Sequence, residues 1–269
     1  MAYEKEYTLA KEIAKEVGEY ILTEQQGGIS RVMKKDKTLV TRVDVAAEKK
    51  IMETIKNVFP NDVFLTEETK TENTQKRDRL WIIDPIDGTS QFSFQEDNFC
   101  VMIAFMDNND VQFGVFYQPV KDRLVHAKKG AGAFCNKNKI QPTTNEDLSQ
   151  LYVISCLFYY AKNNKLEHGL AEYGRVLKQC HDIMRYGSAG IDIFRVASGR
   201  AAAYYEAGVK PWDIAAPKVI LEEAGGIISN MDGSPLDLFR REDGKWCLRT
   251  LASANRSIHE QMVTAIMGK

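Results

Sequence analysis

The apolar run Leu80, Trp81, Ile82, Ile83 leads directly into Asp84, Pro85, Ile86, Asp87, Gly88, Thr89. A short continuous apolar run bounded by turn residues predicts a buried strand, stopped where Pro, Gly and Thr begin a turn able to open a helix. Two carboxylates three residues apart therefore emerge where a core strand ends. An ionised Asp is costly to bury unless hydrogen bonds or a cation compensate it, and a hard divalent ion can compensate two at once. Gly88 lets the backbone approach a ligand, and the free N–H groups of a helix start favour an anion such as phosphate. The plainer reading is an Asp-Pro turn followed by a helix cap, so other segments must decide.

Composition narrows the chemistry. The 269 residues suffice for one large or two small domains, and 44% apolar with 27% charged residues is ordinary for a soluble globular chain. Lys plus Arg (36) nearly balances Asp plus Glu (37), which argues against general nucleic-acid or membrane-surface binding. Residues 1–11 are polar and charged, and no stretch approaches a membrane span, so a cytoplasmic protein is expected. Cys100, Cys135, Cys156, Cys180 and Cys247 are widely spaced and read as reduced, mostly buried side chains. The four histidines show no metal-ligand spacing either. Any bound metal must then be held by oxygen, which points to Mg or Mn rather than Zn.

Apolar spacing predicts a first helix through Ala10, Ile13, Ala14, Val17 and Ile21, broken by Gly27 and Gly28. A second helix is expected after Asp44, with Ala47, Ile51, Ile55 and Val58 on one face. Strands are predicted at residues 63–65, 80–83, 101–105, 111–117 and 124–127, with Asn108 and Asn109 turning a hairpin. Beyond the polar stretch 141–150, strands at 151–155, 201–205 and 226–229 alternate with helices near 166–180, 191–198 and 214–224. The pattern is α+β, with a boundary that divides 1–145 from 146–269.

Three more acidic positions sit at element ends: Glu67 in Thr66-Glu67-Glu68, Asp44 after Leu39-Val40-Thr41, and Asp213 in Trp212-Asp213-Ile214-Ala215-Ala216-Pro217. Singly, each reads as an acidic turn or a helix cap. Together with Asp84 and Asp87 they resemble the inositol monophosphatase family of Mg-dependent, lithium-sensitive phosphomonoesterases, a likeness that also takes in Glu223-Ala224-Gly225-Gly226.

The resemblance implies an α+β fold, a layered α-β-α-β-α sandwich, and a homodimer. It implies that Glu67, Asp84 and the Ile86 carbonyl hold one Mg2+, that Asp84, Asp87 and Asp213 hold a second, and that Glu67 faces a third, weaker ion, with Mn2+ a possible substitute. Asp44 and Thr89 would orient and deprotonate the attacking water, with Glu67 assisting. Gly88 and Thr89 would hold phosphate, while Ser188, Ala189, Glu206 and Asp213 would meet the alcohol. An acidic Glu206 suits hydroxyls and repels a second phosphate, which favours inositol phosphate or a similar small phosphorylated polyol over a bisphosphorylated nucleotide. Ala216-Pro217 and Lys210 lean the other way, toward the bisphosphate nucleotidases of the superfamily, and Lys34, Lys35 and Lys37 in the 27–37 segment add positive charge.

Overall fold

The computed structural model describes residues 2–28, 31–33, 39–69 and 78–268. Helices α1 (Glu4–Gln26) and α2 (Arg42–Val58) come first, with strands β1 (Arg31–Met33) and β2 (Leu39–Thr41) paired between them. Then follow β3 (Val63–Thr66), β4 (Leu80–Asp87), the short helix α3 (Thr89–Ser93), β5 (Cys100–Asp107) and β6 (Asp110–Gln118). Strands β7 (Arg123–Lys128), β8 (Gly132–Cys135) and β9 (Asn138–Lys139) complete a seven-stranded sheet in sequence order from β3 to β9.

The second half runs β10 (Tyr152–Cys156), α4 (Phe158–Lys162), α5 (Leu166–Leu177), β11 (Asp182–Met184), α6 (Ala189–Ala197) and β12 (Ala203–Val209). It ends with α7 (Pro211–Ala224), β13 (Ile227–Asn230), the pair β14 (Arg241–Glu242) and β15 (Lys245–Trp246), β16 (Leu248–Ser253) and α8 (Arg256–Met267). Five of these strands form a mixed sheet in the order β11-β10-β12-β16-β13.

Alternation along the strands builds the layers. Trp81 and Ile83 of β4, with Val101, Ile103 and Phe105 of β5, pack against the apolar stripes of α1 and α2. Their neighbours Leu80, Ile82, Met102, Ala104 and Met106 point the opposite way, into a core shared with Ile191 and Ile193 of α6 and Ile214, Ala215 and Ile220 of α7. The second sheet repeats the device: Ile154, Tyr204 and Ala252 face that middle core, while Val153, Tyr205 and Leu251 face Val176 of α5 and Ile258 and Met262 of α8. The result is the expected α-β-α-β-α sandwich.

Helix α7 lies close on the first sheet because β6 carries Gly114. A Cβ there would come within 2.7 Å of both the Ala216 Cα and the Val219 Cγ1. Gly114→Ala is therefore expected to cost about 1–3 kcal/mol by overpacking. A lowered melting temperature checks this, and an unchanged one would contradict so tight a contact.

The strand expected to stop at Ile83 continues through Asp87. Its register against β5 pairs Asp84 with Met102 and Asp87 with Cys100, so β4 carries one extra residue where Pro85 interrupts the ladder. Asp44 and Asp213 are not the N-cap residues: each is the third residue of its helix, where its carboxylate accepts the N–H of the N-cap residue, Thr41 or Lys210. Strand β12 runs past Tyr205, which leaves Glu206 within the strand rather than at its end. Periodicity predicts neither β11, β16 nor α8. Arg249 and Thr250 break the apolar run of β16, and β11 is only three residues long.

Candidate active site

Parallel pairing of β3 with β4 sets Thr66 beside Ile83, so Glu67 and Asp84 leave the same edge of the sheet as neighbours. The turn bearing Glu67 is fixed from α2, where the Glu48 carboxylate accepts from the Glu68 and Thr69 backbone N–H groups, both at 2.7 Å. Nothing in the local sequence marks Glu48 for this task, because its partners lie 20 and 21 residues away.

The bulge in β4 aims its two carboxylates differently. Asp84, 2% exposed, accepts from the Ile86 N–H at 3.0 Å through Oδ1. Asp87 turns toward α6: its Oδ2 accepts from the Ser188 hydroxyl at 2.5 Å and the Gly190 N–H at 2.7 Å, and its Oδ1 accepts from the Ala189 N–H at 3.2 Å. Ser188 and Ala189, expected at the alcohol, are thus gathered around Asp87. Gly190 belongs to the same clamp, since a Cβ there would lie 3.0 Å from Asp87 Oδ2.

Asp213, half-buried in the first turn of α7, accepts from the Lys210 N–H at 2.7 Å. The Lys210 side chain donates to the Gly208 carbonyl at 2.6 Å. Asp44 is fully buried, with Oδ2 accepting from the Thr41 N–H at 2.8 Å and the Thr41 hydroxyl at 2.5 Å. Its Oδ1 lies 3.1 Å from the Thr89 hydroxyl, which is equally close to the Ile86 carbonyl. A single hydroxyl proton serves those two acceptors, so Thr89 can shift between them. Gly88 begins α3 at φ 89°, and a Cβ there would come within 2.6 Å of the Asn98 carbonyl. Lys34, Lys35 and Lys37 lie outside the described residues.

The carboxylates raise one another. Burial pushes the Asp84 pKa well up, and the negative charges of Glu67, Asp87, Asp213 and Asp44 push it further. Asp213 is raised by burial, then by Glu67 and Asp87, with Lys210 opposing. Asp87 is raised by burial against its hydrogen bonds from α6, and burial likewise raises Asp44. Among the described residues, no three His, Cys, Asp or Glu side chains converge closely enough to enclose an ion by themselves. An all-oxygen set that repels itself fits a hard cation rather than a soft one. Cys100 joins as a thiol donor to Asp87 at 3.6 Å and lies 3.9 Å from the Ser188 hydroxyl, its own pKa driven well up by burial.

Glu206 accepts from the Tyr204 hydroxyl at 3.0 Å. Burial lifts its pKa from 4.5 to about 7, with Asp87 adding to the shift and the Tyr204 bond and Arg185 opposing. A carboxyl raised in the fold binds its proton more tightly there than in the unfolded chain. Stability therefore falls as pH rises from 4.5 to about 7, then levels. Glu206→Gln keeps an acceptor for Tyr204 and removes this penalty, with an expected gain of up to about 3 kcal/mol at pH 8 and little at pH 4. Melting temperatures of both proteins across that range check it, and a constant difference would contradict it.

Sequence reasoning misses Asp192, which is 3% exposed with an unpartnered Oδ1. Its pKa is raised well up by burial, then by Glu206 and Asp87. An Asp between Ile191 and Ile193 on an apolar helix is the only sequence signal for it.

The model of the inositol monophosphatase family matches residues 2–267. The chain belongs to the inositol monophosphatase family. Rat inositol monophosphatase 1 is 34% identical over 257 residues, covering 93% of this chain and 90% of the rat protein. The Nus factor SuhB of Pasteurella multocida is 33% identical over 210 residues, 78% of each chain. Among solved structures, the Thermotoga maritima IMPase superposes with a TM-score of 0.86 at 27% identity, covering 98% of this chain and 97% of that one. SaIMPase-II, the inositol monophosphatase-II of Staphylococcus aureus, bound to inositol monophosphate gives 0.80 at 29% identity, covering 97% and 94%, and it has also been solved with 2'AMP bound. Membership in the family supports a phosphatase of this superfamily. Among the described residues, no helix is long and apolar enough to cross a membrane.

Proposed function

We propose that the chain is a Mg2+-dependent phosphomonoester hydrolase of inositol monophosphatase type, acting on a small phosphorylated polyol. The observation that carries this reading is the mutual electrostatic burden of Glu67, Asp84, Asp87 and Asp213, drawn from three segments beside the hydrogen-bonded pair Asp44 and Thr89. Glu67, Asp84 and the Ile86 carbonyl would hold one ion and Asp84, Asp87 and Asp213 another, with Glu67 open to a third and Mn2+ able to substitute. When bound, the metal supplies positive charge for the phosphate oxygens and brings the pKa of water toward neutrality.

The chain's own residues supply the rest. Thr89 Oγ1 orients the attacking water and takes up its proton while passing its own to Asp44 Oδ1, whose raised pKa suits a base. Glu67 would assist as a further carboxylate beside Asp84. Gly88 and Thr89 N–H groups, at a helix start without internal acceptors, address the phosphate. Residues 1–145 then carry most of the metal positions, while 146–269 supply Asp213 and the alcohol side: Ser188, Ala189 and Glu206. Millimolar lithium is expected to inhibit by taking one ion position, and full insensitivity would count against that arrangement.

A nucleotide substrate is the second reading, favoured by the 2'AMP found on SaIMPase-II and by Lys210 beside Asp213. A panel under equal Mg2+ decides: inositol 1-phosphate, 2'-AMP, a 3',5'-bisphosphate nucleotide, fructose 1,6-bisphosphate, NADP and histidinol phosphate. The polyol reading expects the highest kcat/KM for inositol 1-phosphate, and a preference for either nucleotide overturns it. We also propose a homodimer, so light scattering should give twice the 30.5 kDa chain mass, and a particle of 30.5 kDa would contradict it.

A further inference from the structure

At the far end of α6 from Asp87, two arginines flank the buried ring of Phe194 and a third, Arg195, follows that ring in the sequence. The guanidinium of Arg123 stands 5.1 Å from the centroid of Phe194, and that of Arg200 stands 5.7 Å from the same centroid. Arg195, the next residue along α6, lies 3.8 Å over Tyr186. Phe194 is 2% exposed, Arg123 and Arg195 are half-buried, and Arg200 is exposed, so the group opens to solvent on one side.

Among the described residues, none of the three has a carboxylate within ion-pair distance, whereas Arg42, Arg79, Arg240, Arg249 and Arg256 all do. Among the described residues, Arg123 donates only to the neutral Gln118 amide oxygen, at 3.1 Å. The Arg195 Nε is buried and has no hydrogen-bond partner among the described residues. Arg195 does act electrostatically on Asp192, but from beyond ion-pair range. Burial lowers the Arg123 pKa and the positive charges of Arg200 and Arg195 lower it further, so the cluster repels itself. Guanidinium forks match oxyanions with paired, charge-assisted hydrogen bonds, and a group left uncompensated by the fold is set to take one from solution.

We propose that Arg123, Arg195 and Arg200 form a second anion site, for a small oxyanion of the phosphate class, free or esterified. It lies at the opposite end of α6 from the Asp87 clamp and does not depend on the hydrolase reading. The test is isothermal titration of the full chain in chelator. Without metal the carboxylates repel anions, and no turnover intervenes. One arm uses inorganic phosphate and the other glycerol 2-phosphate. Saturable binding of either supports the site, and the tighter of the two identifies the source.

Arg200→Gln, an exposed change, is expected to weaken binding on the order of tenfold, and Arg123→Gln with Arg200→Gln to remove it. No saturable binding by the parent protein overturns the proposal, as does unchanged affinity in a folded double variant. If the double variant does not fold, unchanged affinity in Arg200→Gln alone overturns it.

Discussion

Asp213→Asn is expected to fold and to lose about a thousandfold or more in kcat, roughly 4 kcal/mol of activation free energy. Asp213 is pushed up by burial and by Glu67 and Asp87, so its charge is unfavourable to the fold without a cation. Asparagine keeps the carbonyl oxygen that accepts from the Lys210 N–H and removes only the charge. Chelated Asp213→Asn should therefore melt at or above the temperature of the chelated parent at neutral pH, while Mg2+ should stabilise it less. Near-normal Mg2+-dependent turnover would sink the ligand role.

Asp87→Asn is the instructive contrast. The Asp87 carboxylate accepts from Ser188, Ala189 and Gly190 at once, and an amide has only one oxygen to offer three donors. That variant should lose activity and also about 1–3 kcal/mol of stability, because a buried donor of α6 is left unpaired.

The second large effect belongs to the proton path. Thr89→Ala and Asp44→Asn should each lower kcat by about a hundred- to ten-thousandfold. Mg2+ affinity should change far less than kcat in Thr89→Ala, since the hydroxyl donates to Asp44 and to the Ile86 carbonyl and is not itself one of the proposed metal ligands. Thr89→Ser, which restores the hydroxyl, should recover most of the activity. Recovery equal in Thr89→Ala and Thr89→Ser would show that the hydroxyl does not matter. Asp44→Asn also faces the Thr41 N–H and hydroxyl, so its stability needs to be measured beside its kinetics.

The central features of this site could be read from residues 80–89 because strand, carboxylates, Pro and Gly are contiguous there. The layering was equally legible, since the alternation of Trp81 and Ile83 with Leu80 and Ile82 is a local pattern. What escaped depends on distance along the chain. Ser188 reaches Asp87 across 101 residues, and no local pattern announces that α6 will spend its first N–H groups on a strand carboxylate. The bulge at Pro85 is hidden for a related reason: it exists only relative to the register of β5. Asp44 and Asp213 looked like caps because Asp is common there. Backbone N–H donation from Thr41 and Lys210 places them at the third position of their helices instead.

The measurement closest to the central claim is inositol 1-phosphate hydrolysis by the full chain, stripped with chelator and then titrated with Mg2+. The proposed metal centre at Glu67, Asp84, Asp87 and Asp213 predicts that turnover vanishes on stripping and returns saturably with Mg2+, and that Asp213→Asn fails to recover at any Mg2+ concentration reached. Turnover that persists in chelator, or an Asp213→Asn variant rescued to the parent rate, would contradict a metal centre at these residues.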